Sequence, residues 1–189
     1  MKSTLVLTGP AGAGKSTVGE HAAALLDRPF VDLDEVAEPL YAEVGWSLER
    51  LRTTIGDVGR VPAEVAWEEA RVHAVVRVLQ DHPGAVVALG AGHTTVTSPL
   101  LRRDLHRVLA PHLVVRLLPS HDRAVALTEL RRRCLADKGT TWMSDGHDFL
   151  AEWLDDPNAI ALADHVVDVD GGDDAVASAV VELVATSAT

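Results

Sequence analysis

Gly9-Pro10-Ala11-Gly12-Ala13-Gly14-Lys15-Ser16-Thr17 is the stretch that decides the fold. It carries the spacing of a phosphate-binding loop: a glycine, four residues, then Gly-Lys and a hydroxyl residue. The spacing has weight only between a strand and a helix. Thr4 to Thr8 is an apolar run that reads as a buried strand, and Val18 to Leu26 reads as the helix that follows, with its start near Lys15. In that context the glycines turn backbone amides toward phosphate oxygens and the helix adds its positive end. The nucleotide-binding set is then Gly9, Ala11, Gly12, Ala13, Gly14, Lys15, Ser16 and Thr17. Lys15 reaches the β- and γ-phosphates and the Ser16 hydroxyl ligates Mg²⁺. The alternative is a glycine-rich turn that holds nothing.

Composition narrows the partners. The 189 residues fit one domain, 1–189, and 47% hydrophobic with 24% charged residues is a globular balance. Aromatics make up only 4%, so Val, Leu and Ala must carry the packing. A net charge of −11 argues against a nucleic-acid partner, because a polyanion needs a basic stripe and Arg131-Arg132-Arg133 is short and local. Cys134 is alone, and no stretch approaches the roughly 20 apolar residues that span a bilayer. The expectation is a cytoplasmic protein, off the membrane, acting as a monomer or small homo-oligomer. The small-residue tail Ala185 to Thr189 reads as frayed.

Outward from the loop, strands and helices alternate. Arg28 to Asp34 reads as a short second strand whose exit carries Asp32 and Asp34. Two short helices follow, Glu35 to Tyr41 with Pro39 inside and Ser47 to Arg52 beyond the break at Gly45. The spacing predicts one longer helix over Pro62 to Gln80, with Val65, Val72, Val75, Val76 and Leu79 on one face. Further strands are predicted at Ala85–Leu89, His112–Leu118 and His165–Val169. Such alternation predicts an α/β fold, a five-stranded parallel sheet with helices on both faces, with ligands beyond the carboxyl ends of its strands. The loop, the aspartate pair and Gly90-Ala91-Gly92-His93 all fall there.

The chain resembles the shikimate kinase family of phosphate-loop small-molecule kinases. The resemblance rests on the loop running into Val18-Gly19, on Asp32-Leu33-Asp34, on Gly45-Trp46-Ser47-Leu48, on Gly56-Asp57 with Glu64, and on Leu89-Gly90-Ala91-Gly92. It implies ATP and Mg²⁺ as cofactors, Asp32 on the metal and Asp34 on the acceptor hydroxyl, whose proton it takes. Either aspartate has a plainer alternative, as the cap of the helix starting near Glu35. The resemblance also implies backbone contacts to substrate at Gly90, Ala91 and Gly92, and a mobile lid at about 134–148 whose arginine meets the transferring phosphate. Arg133 is chosen for that role, though Arg131, Arg132 and Lys138 lie in the same segment. Asp170 to Asp173 occupies the place of the family's adenine loop, or is only a connection. Trp46, Trp67, Trp142 and Trp153 read as packing residues. His93 has no counterpart; an acceptor contact, a proton-transfer group and a surface histidine all remain open.

Two departures shape the acceptor. Where the family grips a carboxylate with arginines, this sequence has Val61, with Arg60 one position out of register, and a residue near Asp155. The lid lacks the family's Arg-Pro-Leu-Leu stretch and has Thr140 to Asp145 instead. The pocket therefore reads as short of cations. The reading is a kinase moving the γ-phosphoryl group of ATP to a hydroxyl of a small polyhydroxylated or amino-bearing metabolite. Lys15, Asp34 and Arg133 are the catalytic set, Ser16 and Asp32 the metal set, and Asp34, Arg60, Gly90, Ala91 and Gly92 the substrate set. A true shikimate kinase with its arginine at Arg60 is the nearest alternative. A nucleotide-dependent switch acting on a protein partner is a further one, and the absence of an acid in Ala88-Leu89-Gly90 weighs against it.

Overall fold

The computed structural model describes residues 4–170 and 172–187; Lys2, Gly171 of the predicted adenine turn, and the last two residues of the tail lie outside the described residues. The chain opens with β1 (Leu5–Thr8), the loop, α1 (Lys15–Leu26), β2 (Phe30–Asp32) and α2 (Leu33–Ala42). Then come α3 (Leu48–Val58), α4 (Arg60–Ala66), α5 (Glu68–Asp81), β3 (Val86–Ala88) and a 3₁₀ turn at Ala91–His93. After α6 (Pro99–Leu109), β4 (Leu113–Leu118) and α7 (Arg123–Lys138) comes a short hairpin of β5 (Met143–Ser144) and β6 (His147–Asp148). The chain finishes with α8 (Phe149–Asp155), α9 (Pro157–Ala161), β7 (His165–Asp168) and α10 (Asp173–Thr186).

Five strands pair in parallel in the order β2-β3-β1-β4-β7, as the alternation predicted. Strand side chains alternate between faces, and the core divides accordingly. Leu5, Leu7, Val115 and Leu117 face one apolar layer built with Val18, Leu130, Trp153 and Val180; Val6, Val87 and Val114 face the other, with Leu33, Val75 and Leu105. With β1 central and its neighbours both reached by crossovers, the end of β1 is where a parallel sheet opens a crevice for ligand.

Two predicted elements are revised. The single helix over Pro62 to Gln80 is broken at Trp67, which sits at φ −89° and ψ −8° between α4 and α5. The cause is a side chain: the Arg71 guanidinium donates to the Glu64 carbonyl at 3.1 Å, the acceptor that an unbroken helix gives to the amide four residues on. Val65 is exposed, whereas Val72, Val75 and Leu79 are buried. The second revision is the hairpin, whose two-residue strands carry no alternation in the sequence. Asp145 and Gly146 both take positive φ, 54° and 76°, the geometry of a two-residue turn between antiparallel strands.

Candidate active site

At the phosphate end, the backbone does most of the shaping. Gly9, Gly12 and Gly14 all take positive φ, so the loop wraps a concavity and delivers Lys15 into the first turn of α1. Lys15 Nζ donates to the Gly9 and Pro10 carbonyls at 2.9 and 3.0 Å. Burial pulls its pKa down to about 8, with the nearby Asp34 carboxylate opposing that shift. A half-buried ammonium beside the loop suits an anion. Ala11, Gly12, Gly14, Lys15, Ser16 and Thr17 line one cavity of about 410 Å³, together with Asp32, Asp34, Arg60, Ala91, Gly92, His93 and Arg133. Gly9 and Ala13 shape the loop from behind, and Ala13 is fully buried. Gly90 likewise abuts the cavity from behind, against Asp34.

Asp32 closes this end. It is the last residue of β2 and the cap of α2, accepting from the Asp34 amide at 3.0 Å, so the capping role considered for it holds. Its other oxygen accepts from Ser16 Oγ at 2.5 Å. A hydroxyl and a carboxylate in contact beside the phosphate loop fit Mg²⁺, a hard ion that takes one or two protein oxygens and completes its shell with phosphate and water.

Asp34 stands on the first turn of α2 with its carboxylate exposed to the cavity. Around it the acceptor end is made of side chains. Arg60 Nε and one terminal nitrogen both lie 3.3 Å from Glu64 Oε1, and the Arg60 guanidinium lies over the rings of Trp142 and Phe149. Arg71 meets the same carboxylate, 3.4 Å from Oε2, and stacks over Trp67. Its side chain is 6% exposed, and burial lowers its pKa, with Glu64 and Glu68 opposing. Gly92 makes room for it: a Cβ there would lie 2.4 Å from an Arg71 nitrogen.

Arg71 corrects the expectation that the pocket is short of cations. Val61 does pack toward the core, and Asp155 forms a surface pair with Arg123 at 2.5 to 2.7 Å, so neither reaches the cavity. The guanidinium instead arrives from α5, a position outside the motif register. One signal for it was present. Arg71 stands four residues before Val75 and seven before Val78, on the apolar stripe of its helix, where a charge needs a reason. Glu68 is another buried charge on that helix, and its reason is structural: it accepts from the Thr97 and Ser98 amides. Trp67, Trp142 and Trp153 line the cavity as well as packing, which revises their reading as packing residues alone; Trp46 stays away from it, under Arg50.

The lid segment begins as the end of α7 and continues into the hairpin. Structure separates its cations. Arg131 pairs with Asp148 and Arg132 with Glu129; Arg133 also meets Glu129, at 2.7 Å, but it and Lys138 line the cavity. Arg133 donates to the Gly12 and Val169 carbonyls at 3.4 and 3.3 Å, bridging the loop to the exit of β7. The hairpin is docked over the acceptor end, where the Arg60 amide donates to Asp145 at 2.9 Å and Trp142 meets Trp153 edge to face at 5.0 Å.

His93 is no surface histidine. It is 3% exposed, on the 3₁₀ turn after β3, and Nε2 lies 2.8 Å from the Tyr41 hydroxyl. Burial pulls its pKa down to about 4, with Asp34 opposing, so the ring is neutral near pH 7.

Comparison with known proteins agrees with this architecture. The family model described as "Shikimate kinase" matches residues 11–185. A shikimate kinase from Pseudoalteromonas atlantica is 32% identical over 182 residues, covering 88% of this chain and 96% of its own. Another from Alteromonas mediterranea is 30% identical over 173 residues, covering 89% and 88%. The solved shikimate kinase from Acinetobacter baumannii, in complex with shikimate, superposes with a TM-score of 0.68 at 22% identity, covering 98% of this chain and 94% of that one, a likeness of fold. The protein is an ATP- and Mg²⁺-dependent small-molecule kinase, and the chain belongs to the shikimate kinase family.

Proposed function

We propose that the acceptor is a small polyhydroxylated carboxylic acid of the shikimate type. One observation carries this reading: two guanidiniums, Arg60 and Arg71, converge on the single carboxylate of Glu64 beside Asp34. That trio has a surplus positive charge in a partly buried site, and an acceptor carboxylate compensates it with charge-assisted hydrogen bonds. The buried guanidinium is the stronger anchor, since Arg60 is more open to solvent.

In this reading Asp34 receives the acceptor hydroxyl's proton as its oxygen attacks the γ-phosphorus, and the bond to the β-phosphate oxygen breaks. Lys15 and the loop amides hold the phosphates, and Gly90, Ala91 and Gly92 bring backbone close to the acceptor ring. Ser16 and Asp32 would hold Mg²⁺, which when bound neutralises charge across the β- and γ-phosphates. Arg133 contributes charge from the far side of the loop, where its fork suits a phosphoryl group. The hairpin over Arg60 acts as the lid that excludes water, within one kinase domain working in the cytoplasm.

A neutral or amino-bearing acceptor is the second reading, and it too has an observation: Glu64 already engages both guanidiniums, and Asp34 adds a further negative charge. A panel separates the two. With MgATP fixed, turnover of shikimate, of neutral polyols and of aminated sugars is followed by mass detection of the phosphorylated product. Efficiency is expected to be highest for shikimate; a preference for aminated acceptors would establish the second reading.

A further inference from the structure

The acceptor end contains a buried imidazole that the phosphoryl transfer described above does not use. His93 Nδ1 is buried and has no side-chain hydrogen-bond partner; the backbone of Gly90 lies beside the ring, and Asp34 Oδ1 is 3.9 Å from Nδ1. Between them passes the backbone of Gly90, where a Cβ would fall 2.0 Å from Asp34 Oδ1 and 2.6 Å from His93 Nδ1. Any side chain at 90 would wedge the two apart, so this glycine keeps a buried ring nitrogen facing an exposed carboxylate.

We infer that His93 is a positioning residue for Asp34: Tyr41 fixes its ring, and its Nδ1–H is the donor that orients the Asp34 carboxylate when the acceptor is in place. The proton arrangement follows from both ends of the ring. Tyr41 is buried, its pKa is raised by desolvation and by Asp34, and it therefore keeps its hydroxyl proton, which His93 Nε2 accepts. A lone pair on Nδ1 would face the Asp34 anion and be repelled, whereas an N–H there is attracted. Tyr41 and Asp34 thus select the same neutral tautomer. The other charged groups facing the ring, Arg71 and Lys15, disfavour a cationic imidazole further.

The 3.9 Å separation is too long for a hydrogen bond and short enough to close by rotation of the exposed Asp34 side chain. Closure would hold Oδ1 on Nδ1–H and leave Oδ2 free for the acceptor hydroxyl. Catalytic hydrogen bonds of this kind commonly tighten only when substrate is bound.

The inference rests on Asp34 as the proton acceptor, and one mutant cycle distinguishes the two claims, using shikimate and MgATP. His93→Leu is expected to lower kcat on the order of ten- to a hundredfold, the cost of a hydrogen bond to a charged group, with KM for MgATP unchanged. His93→Asn, whose amide N–H falls near the place of Nδ1–H, is expected to recover most of the loss. In the Asp34→Asn background, His93→Leu is expected to add nothing. Losses that multiply would show that His93 acts independently of Asp34 and overturn the inference while leaving the base assignment standing. An active Asp34→Asn would remove both. Should His93→Leu not fold, ¹⁵N resonances of His93 in the unmodified protein decide: a proton on Nδ1 is expected, and a proton on Nε2 would overturn the inference.

Discussion

The two ends of the pocket are built from different material. The phosphate end is built mainly on one contiguous run of nine residues, Gly9 to Thr17, shaped by backbone amides, with Asp32 from the neighbouring strand end and Arg133 and Lys138 from α7 added to it. The acceptor end is assembled from side chains on α2, α4, α5, α8, the 3₁₀ turn and the hairpin, with partners far apart in sequence. Backbone recognition is written locally, because glycine spacing and a helix start dictate it. Side-chain recognition depends on which helix faces reach the crevice. A substitution of one cation by another on a different helix then changes the motif without emptying the site.

The largest expected effect breaks the phosphate end. Lys15→Met should lower kcat/KM for both substrates by about a thousandfold, the scale of losing a fixed charge on a transferring group, while circular dichroism stays native. A folded variant with ordinary turnover would mean that the loop does not serve phosphate as described.

At the acceptor end, Arg71→Leu should lower kcat/KM for shikimate by about a hundredfold, mostly through KM, with KM for MgATP nearly unchanged. Some loss of thermal stability should accompany it, since Glu64 loses a buried partner. Arg60→Leu should cost about tenfold or less, because that guanidinium is more solvated. A reversed order would place the acceptor's anchor at Arg60.

The smallest effect is one of pH and separates the ends without mutation. Lys15 is a cation below its lowered pKa of about 8 and loses its proton as pH rises through it. In the free enzyme, kcat/KM for MgATP should therefore decline above pH 8, approaching tenfold per unit. The guanidiniums of the acceptor end keep their charge over that range, so the intrinsic affinity for the acceptor should not follow. A profile flat to pH 9.5 would show that Lys15 stays charged without nucleotide.

Legibility followed the same division. The five sheet strands and their order of appearance were readable because Val-rich runs are bounded by turns. The loop, Asp32 and Asp34 were readable because each sits at a strand exit. The break at Trp67 was not, since its cause is a guanidinium from the next helix taking the Glu64 carbonyl. The hairpin was signalled by Asp145-Gly146 and overlooked, as its strands are only two residues long and carry no alternation. Arg133 was singled out from the sequence, but only packing shows that it and Lys138, rather than Arg131 and Arg132, line the cavity. His93 was visible as a residue without a role. Its burial against Tyr41 depends on contacts 52 positions apart.

The central claim is that a buried arginine outside the motif register still receives an acceptor carboxylate. The most direct measurement compares kcat/KM for shikimate with that for shikimate methyl ester, which keeps the ring and hydroxyls and removes the charge. The ester is expected to be poorer by about a hundredfold in the unmodified enzyme, and Arg71→Leu is expected nearly to abolish the difference. Equal efficiency on acid and ester, or a preference for the ester, would contradict that claim and establish a neutral acceptor.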